Sequence, residues 1–241
     1  MFRKKSPFEN KKGTLLRKES EDTISSIDNS KKLKQDSFKY RKQENMVPTN
    51  QTIAFCSTHK GAGCTHISLA LAFELSKKYS VALVERDPTA ELKAFDTMYD
   101  LKKGNLNSKK LDNLDVYFYG ANELIHIIKA KYDYIILDIG TLLSVDADGT
   151  LVKSEDITEV YRADTKILVT QTREWQLEHL AEFIKYDKDM NDWIILANLS
   201  TEKNYKDLKK VLKRTTSEVI KMPYIEDLFN FSINEIIKVI R

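Results

Sequence analysis

The chain has 241 residues, 41% of them hydrophobic and 31% charged, with a formal net charge of +3, which suits one sizeable α/β domain or a domain plus a tail. No apolar run approaches the ~18 residues of a membrane span, and the basic start MFRKKSPFENKKG lacks the apolar stretch of a signal peptide, so a cytoplasmic protein is expected. Two cysteines, Cys56 and Cys64, cannot staple a secreted fold and fit a reducing compartment.

Charge is unevenly spread. Residues 1–50 hold 13 Lys and Arg against 7 Asp and Glu, so +6; the rest holds 26 basic against 29 acidic residues, so −3. The first segment lacks sustained periodicity and is rich in Lys, Ser, Asn, Asp and Glu, which predicts a disordered basic arm over 1–50. Such an arm is either a solvated tail or a contact to DNA, to an anionic membrane surface or to an acidic partner. The acids interleaved with its lysines weaken the polyanion reading.

From residue 51 apolar strand-like runs alternate with helical patterns. Strands are predicted at 52–56, 81–85, 114–120, 134–140, 166–171, 192–199 and 218–222. Helices are predicted at about 65–78, 89–98, 122–130, 173–186 and 203–213, with one more at the C-terminus. A polar connection runs through Lys109. This alternation predicts an α/β fold over 51–241: a doubly wound, mostly parallel sheet with helices on both faces. Runs such as YIILD and WIILA are continuous, as strands buried on both faces are. Ligands on such a sheet bind at the carboxyl ends of the strands.

Three motifs lie at such ends. In TIAFCSTHKGAGCTH, an apolar strand runs into a Gly-rich turn and then an amphipathic helix. That is the context of a phosphate-binding loop, with Lys60, Gly61, Ala62, Gly63, Cys64, Thr65 and His66 as its candidate ligand contacts. Against the pattern G-x-x-x-x-G-K-[ST], Thr58 replaces the first Gly and Cys64 the Lys, while Gly63 and Thr65 are kept. The glycines allow an anion nest, and Thr65 can give its hydroxyl to Mg²⁺. The alternative is a turn that holds no nucleotide. In VALVERDP, Asp87 follows the second strand, as a carboxylate facing the loop or as a helix N-cap. In YDYIILDIG, Asp138 ends a buried apolar strand, where a carboxylate needs a metal or a hydrogen-bond partner.

Together these segments resemble the ParA/MinD family of P-loop ATPases, the deviant-Walker-A group. The family loop G-K-G-G-x-G-K-T-T is matched by Thr58 to His66, its I-D-x-D-P-Q by Val84 to Thr89, and its Y-D-x-I-I-I-D by Tyr132 to Asp138. Asn198 falls where the family often has an adenine-contacting Asn, and Pro223 resembles the Pro before the last helix. The resemblance covers about residues 51–228. It implies a P-loop NTPase fold, ATP or ADP as ligand, Mg²⁺ held by Thr65 and Asp138, Asp87 in a catalytic position, and a homodimer.

The departures decide the activity. The family's signature Lys aligns with His59, with Lys60 one place later, and the P-loop Lys aligns with Cys64. A missing cation beside a triphosphate removes a contact of ~1.5–3 kcal/mol and stabilisation of the transferring phosphoryl group, so hydrolysis is expected to be absent or very slow. The resemblance therefore points to a degenerate, weakly nucleotide-binding or pseudo-NTPase scaffold. Atypical members, the TadZ/CpaE-like proteins, organise pilus or secretion machines. The partners implied are those of a bacterial secretion, pilus or DNA-transfer machine, in the cytoplasm or on the inner face of the membrane. Two alternatives stand beside it: an active ATPase of DNA partition or conjugative transfer using Lys60, and a nucleic-acid-binding module using the arm.

Three further features carry bland readings. His59, Cys64 and His66 match no strong zinc spacing. Cys64 at a helix N-terminus is either a reactive thiol or an inert small residue. SINEIIKVIR has a capping box, Ser232 with Glu235, and an isoleucine stripe at 233, 236, 237 and 240 that packs on the sheet or meets a membrane.

Overall fold

Seven segments of β-branched and aliphatic residues pair in parallel: Gln51–Ser57 (β1), Val81–Glu85 (β2), Leu114–Tyr117 (β5), Tyr134–Thr141 (β6), Thr165–Gln171 (β9), Trp193–Asn198 (β10) and Glu218–Lys221 (β11). Lys102–Lys103 (β3) and Lys109–Leu111 (β4) extend one edge antiparallel. The order is β11-β10-β9-β1-β6-β2-β5-β4-β3. Leu143–Val145 (β7) and Leu151–Lys153 (β8) form a separate antiparallel pair. The helices are Cys64–Ser76 (α1), Leu92–Tyr99 (α2), Ile157–Arg162 (α3), Glu174–Tyr186 (α4) and Glu202–Leu212 (α5). This computed structural model describes residues 50–99, 101–103, 108–120, 132–145, 148, 151–187, 189–213, 215, 218–225, 236 and 240. The expected arm and the expected helix at 122–130 lie outside them.

The continuous apolar runs divide between two cores, because successive side chains in a strand point to opposite faces. Ile53 and Phe55 of β1 and Ile136 of β6 join one cluster with Ile67, Leu71 and Leu75 of α1 and Leu92 of α2. Ala54 and Cys56 of β1 and Ile135 and Leu137 of β6 join the other, with Val160 of α3, Leu180 and Phe183 of α4 and Leu208 of α5. Both faces are covered, as a parallel sheet requires. Ile236 and Ile240, the described part of the C-terminal stripe, are buried in the first cluster. Among the described residues no helix is long and apolar enough to cross a membrane.

β1 lies between β9 and β6. From β1 the chain crosses to β2 on the β6 side and later returns to β9 on the other, so strand order reverses around β1. The crevice at its carboxyl end is where such sheets hold ligands. The register of β1 against β6 slips between Phe55 and Cys56, so that Phe55 faces Asp138 and Cys56 faces Gly140. The extra residue, Ile139, is a bulge beside the crevice, a common way to re-aim a side chain next to a site.

Several boundaries differ from expectation. The third expected strand, 114–120, ends at Tyr117, and β3, β4, β7, β8 and α3 were not foreseen. Each is at most six residues long, with too few side chains to show a period.

Candidate nucleotide site

The loop from Thr58 to Gly63 is tied to the sheet on its β9 and β10 side. The Thr58 amide donates to Val169 O at 3.1 Å. Gln171 Nε2, ending β9, donates to Gly61 O at 2.9 Å. Asn198 Nδ2, ending β10, donates to Ala62 O at 2.8 Å. Holding two loop carbonyls this way fixes the peptide planes whose amides form the nest. Asn198 therefore contacts the loop itself. Gln171 was not singled out from the sequence; its place at the end of KILVTQ was the available signal.

Gly61 and Gly63 have φ of +80° and +98°, conformations that residues with a Cβ rarely adopt. Gly63 is the N-cap of α1, which has no side-chain cap and no acid in its first turn. The first amides of a helix have no intrahelical partner and carry the positive end of its dipole. An uncapped N-terminus opening onto a left-handed glycine turn is anion-binding geometry.

Asp138 of β6 is fully buried. Cys64 Sγ donates to its Oδ1 at 3.3 Å, and the Thr65 hydroxyl lies beside the carboxylate. Its Oδ2 is buried without a partner. Burial, offset in part by the Thr65 and Cys64 side chains, raises its pKa to about 7. An orphaned carboxylate oxygen beside a threonine hydroxyl fits a Mg²⁺ ion with its water shell, which takes hard oxygen ligands. Burial, and then the Asp138 charge, push the Cys64 thiol well above its usual range. It stays a neutral thiol, the opposite of the reactive cysteine a helix N-terminus would favour.

Asp87 comes to β6 through the backbone, since the Arg86 and Asp87 amides both donate to Asp138 O, at 2.8 and 3.2 Å. Its Oδ1 accepts from Thr89 N at 2.9 Å and Thr89 Oγ1 at 2.8 Å. The carboxylate packs on Gly140, whose φ is +71° and where any Cβ would collide with it. Asp87 is thus a turn residue that faces the site, while α2 begins only at Leu92. The buried Glu85 anchors the same turn: its carboxylate accepts from Leu92 N at 2.6 Å and Tyr119 N at 3.2 Å, and burial raises its pKa.

A cleft of 760 Å³ lies beside the loop. Thr58, His59, Lys60, Asp87 and Thr141 line it from the strand ends, and Lys153 and Asp156 from the segment after β7. Arg86 Nε donates to Asp156 Oδ1 at 2.9 Å, joining β2 to that segment. Lys60 is exposed, and so is His66, whose Nε2 lies 3.3 Å from Ile225 O. His59 stacks on His179 of α4. His59, Cys64 and His66 thus go three ways, and among the described residues no group of three or more His, Cys, Asp or Glu is placed to hold a metal.

No protein-family model and no curated protein matches the sequence. Solved structures do resemble the fold. A plasmid partition protein from Borrelia burgdorferi B31 bound to AMPPNP is 19% identical, with a TM-score of 0.54 over 79% of this chain and 95% of that one. A ParA family ATPase from Chlorobium tepidum is 21% identical, with a TM-score of 0.50 over 73% and 86%. The MinC:MinD cell division complex of Aquifex aeolicus contributes a chain 16% identical, with a TM-score of 0.52 over 75% and 85%. At these identities the likeness establishes the fold, that of the ParA and MinD P-loop ATPases.

Proposed function

We propose that this chain is a degenerate ParA/MinD-like protein that binds ATP or ADP weakly, hydrolyses it slowly or not at all, and acts as a scaffold. The uncapped α1 N-terminus and the Gly61–Gly63 turn cradle phosphate, Thr65 and Asp138 hold Mg²⁺, and Asp87 faces the site as a water-orienting carboxylate. Bound Mg²⁺ would neutralise phosphate charge at that position. The observation that carries the reading is Cys64: the residue in the P-loop lysine position is a buried neutral thiol that donates to Asp138. It supplies no positive charge to a β- or γ-phosphate, and so none to a phosphoryl-transfer transition state. The nucleotide-bound state of the Borrelia relative supports the choice of ligand. That the relatives include a plasmid partition protein and the MinD of a MinC:MinD complex supports a positioning role, as a homodimer that engages a cell-envelope or DNA-handling machine in the cytoplasm or on the inner face of the membrane.

The test is calorimetric titration of ATP and ADP with Mg²⁺, paired with a phosphate-release assay. Weak binding without turnover is expected. Turnover comparable to that of ordinary ATPases of this fold would replace the reading with the second one, an active ATPase in which the exposed Lys60 supplies the cation. No binding at millimolar nucleotide would end both.

The arm is proposed as the contact to DNA or anionic lipid, because residues 1–50 carry +6 and the remainder −3. Binding should weaken steeply with salt and vanish in a 51–241 protein, with little sequence preference. A salt series on both proteins checks it; equal, salt-sensitive binding by the two would move the contact onto the domain.

A further inference from the structure

The cleft beside the loop holds two imidazoles, His59 and His179, whose rings stack with centroids 5.4 Å apart and planes 25° apart. A relay of hydroxyls fixes the tautomer of His59. Thr170 Oγ1 donates to Gln171 O at 3.3 Å, so it accepts from Thr58 Oγ1, 3.2 Å away. A hydroxyl has one proton to give. Thr58, having donated to Thr170, must accept from His59 Nδ1 at 2.9 Å. Neutral His59 therefore carries its proton on Nδ1 and leaves a lone pair on Nε2. That atom is buried and has no partner. A buried acceptor left unmade costs free energy. Protonation turns it into a donor, which a bound anion would satisfy.

The charges around the cleft fit this exchange. The loop contributes Lys60, and the end of β2 contributes Arg86 and Asp87. The segment running from β8 into α3 contributes Lys153, Glu155 and Asp156, and α4 contributes His179 and Glu182. Three cations face four carboxylates, so with both imidazoles neutral the cleft is net negative and repels an anion. One added proton brings it to balance. Burial, and then the His179 charge, hold the His59 pKa below its usual value, so the free cleft resists that proton and a bound anion would favour it.

We propose that His59, backed by His179, is a proton-gated anion subsite: Nε2, covered in the free protein, is uncovered as a phosphate group enters the cleft, takes a proton from solvent and then donates a charge-assisted hydrogen bond to the phosphate. This rests on the nucleotide reading, with the ligand phosphate as the anion. The relay through Thr58 and Thr170 ends on the backbone carbonyl of Gln171, the residue whose side-chain amide holds Gly61 O, so the imidazole and the nest are tied to the same strand end.

The experiment is calorimetric titration of ADP without Mg²⁺, which leaves Asp138 out of metal binding, at about pH 6 and pH 8. Two buffers of different ionisation enthalpy count the protons. The wild-type protein should bind roughly tenfold more tightly at the lower pH and take up a proton on binding. His59→Gln should reduce both the pH difference and the proton uptake to what ADP's own titration and Asp138 contribute, so that the wild type exceeds the variant in both. His59→Lys should hold the tighter affinity at both pH values. Binding whose pH dependence and proton uptake are the same in wild type and His59→Gln would overturn the subsite and leave the nucleotide reading standing. No binding at either pH would overturn both.

Discussion

The two sides of the crevice at the end of β1 are built differently. On the glycine-loop side, every anchor is the end of a buried parallel strand: Val169 O, Gln171 and Asn198 hold the loop, and Asp138 sits under it. On the cleft side, the wall comes from the segment that leaves β6, whose described residues form the short pair β7–β8 before α3. It is joined to the sheet by the Arg86–Asp156 pair and by Leu142 N donating to Ser57 O of β1 at 3.3 Å. The first side is rigid and has the geometry of an anion cradle. The second is a wall held by two buried leucines at its start, Leu142 and Leu143, and by a few polar contacts. Binding should follow the first side and its regulation the second.

The largest effect that would break this contrast is at Gly63. A β-branched residue at φ +98° is a backbone outlier, and its Cβ would run into the Asn198 amide that holds Ala62 O. Gly63→Val should abolish nucleotide binding while the domain stays folded, read by calorimetry and circular dichroism. Retained binding would mean that the nest is not the site.

Next comes Asp138, whose pKa of about 7 in the folded protein stands above the ~3.9 of an unfolded aspartate. The folded state keeps a proton that the unfolded state has lost, so without metal this group's contribution to stability falls as pH rises between about 4 and 7. Asp138→Asn should flatten that fall and raise stability at pH 8 by on the order of 2–4 kcal/mol, while abolishing any Mg²⁺-dependent gain in nucleotide affinity. Urea titrations across this range in EDTA decide it. A variant that shadows the wild type at every pH would show the carboxylate to be well solvated.

The rigid side was legible in the sequence because its signals are local. A run such as YIILD marks a strand buried on both faces, and a glycine turn between strand and helix marks the nest, wherever the rest of the chain goes. Asp138, Gly63 and Thr65 are each placed by their own element. The roles that escaped depend on contacts between distant segments: Gln171 and Asn198 on loop carbonyls, Glu85 on the Leu92 and Tyr119 amides, and His59 on a helix 120 residues later. Nothing about a lone histidine in a loop announces that it will stack on another. The hairpin and α3 escaped for a simpler reason: strands of three residues show no period.

Cys64→Lys tests whether the cradle lacks only its cation. An ammonium beside the nest would add a charge-assisted contact to a bound β- or γ-phosphate, and between ligands it would pair with Asp138, which the present thiol only hydrogen-bonds. Affinity for ATP should rise about tenfold or more, the equivalent of roughly 1.5–3 kcal/mol, in calorimetry against the wild type. A variant that folds and binds no better would show that Cys64 does not stand at the phosphates, and with it the account of slow hydrolysis would fall.

The smallest effect separates the two sides by their motion. Amides of β1 and β6 lie in the middle of a nine-stranded sheet, with both faces buried, and should exchange hydrogen only through global unfolding. β7 and β8 pair only with each other, and a two-stranded pair is marginal by itself. Of its described side chains, Ser144, Val152 and Lys153 are exposed and Leu143 is buried. Amides at 143–153 should therefore open locally and exchange at least tenfold faster than those of β6 under native conditions. Adding ADP should slow exchange at 58–66, where the nest amides are covered, more than at 143–153. Hydrogen–deuterium exchange by mass spectrometry resolves both stretches. If 143–153 were as protected as β6 in the free protein, the wall would be as fixed as the cradle, and control of the site would have to come from charge in the cleft alone.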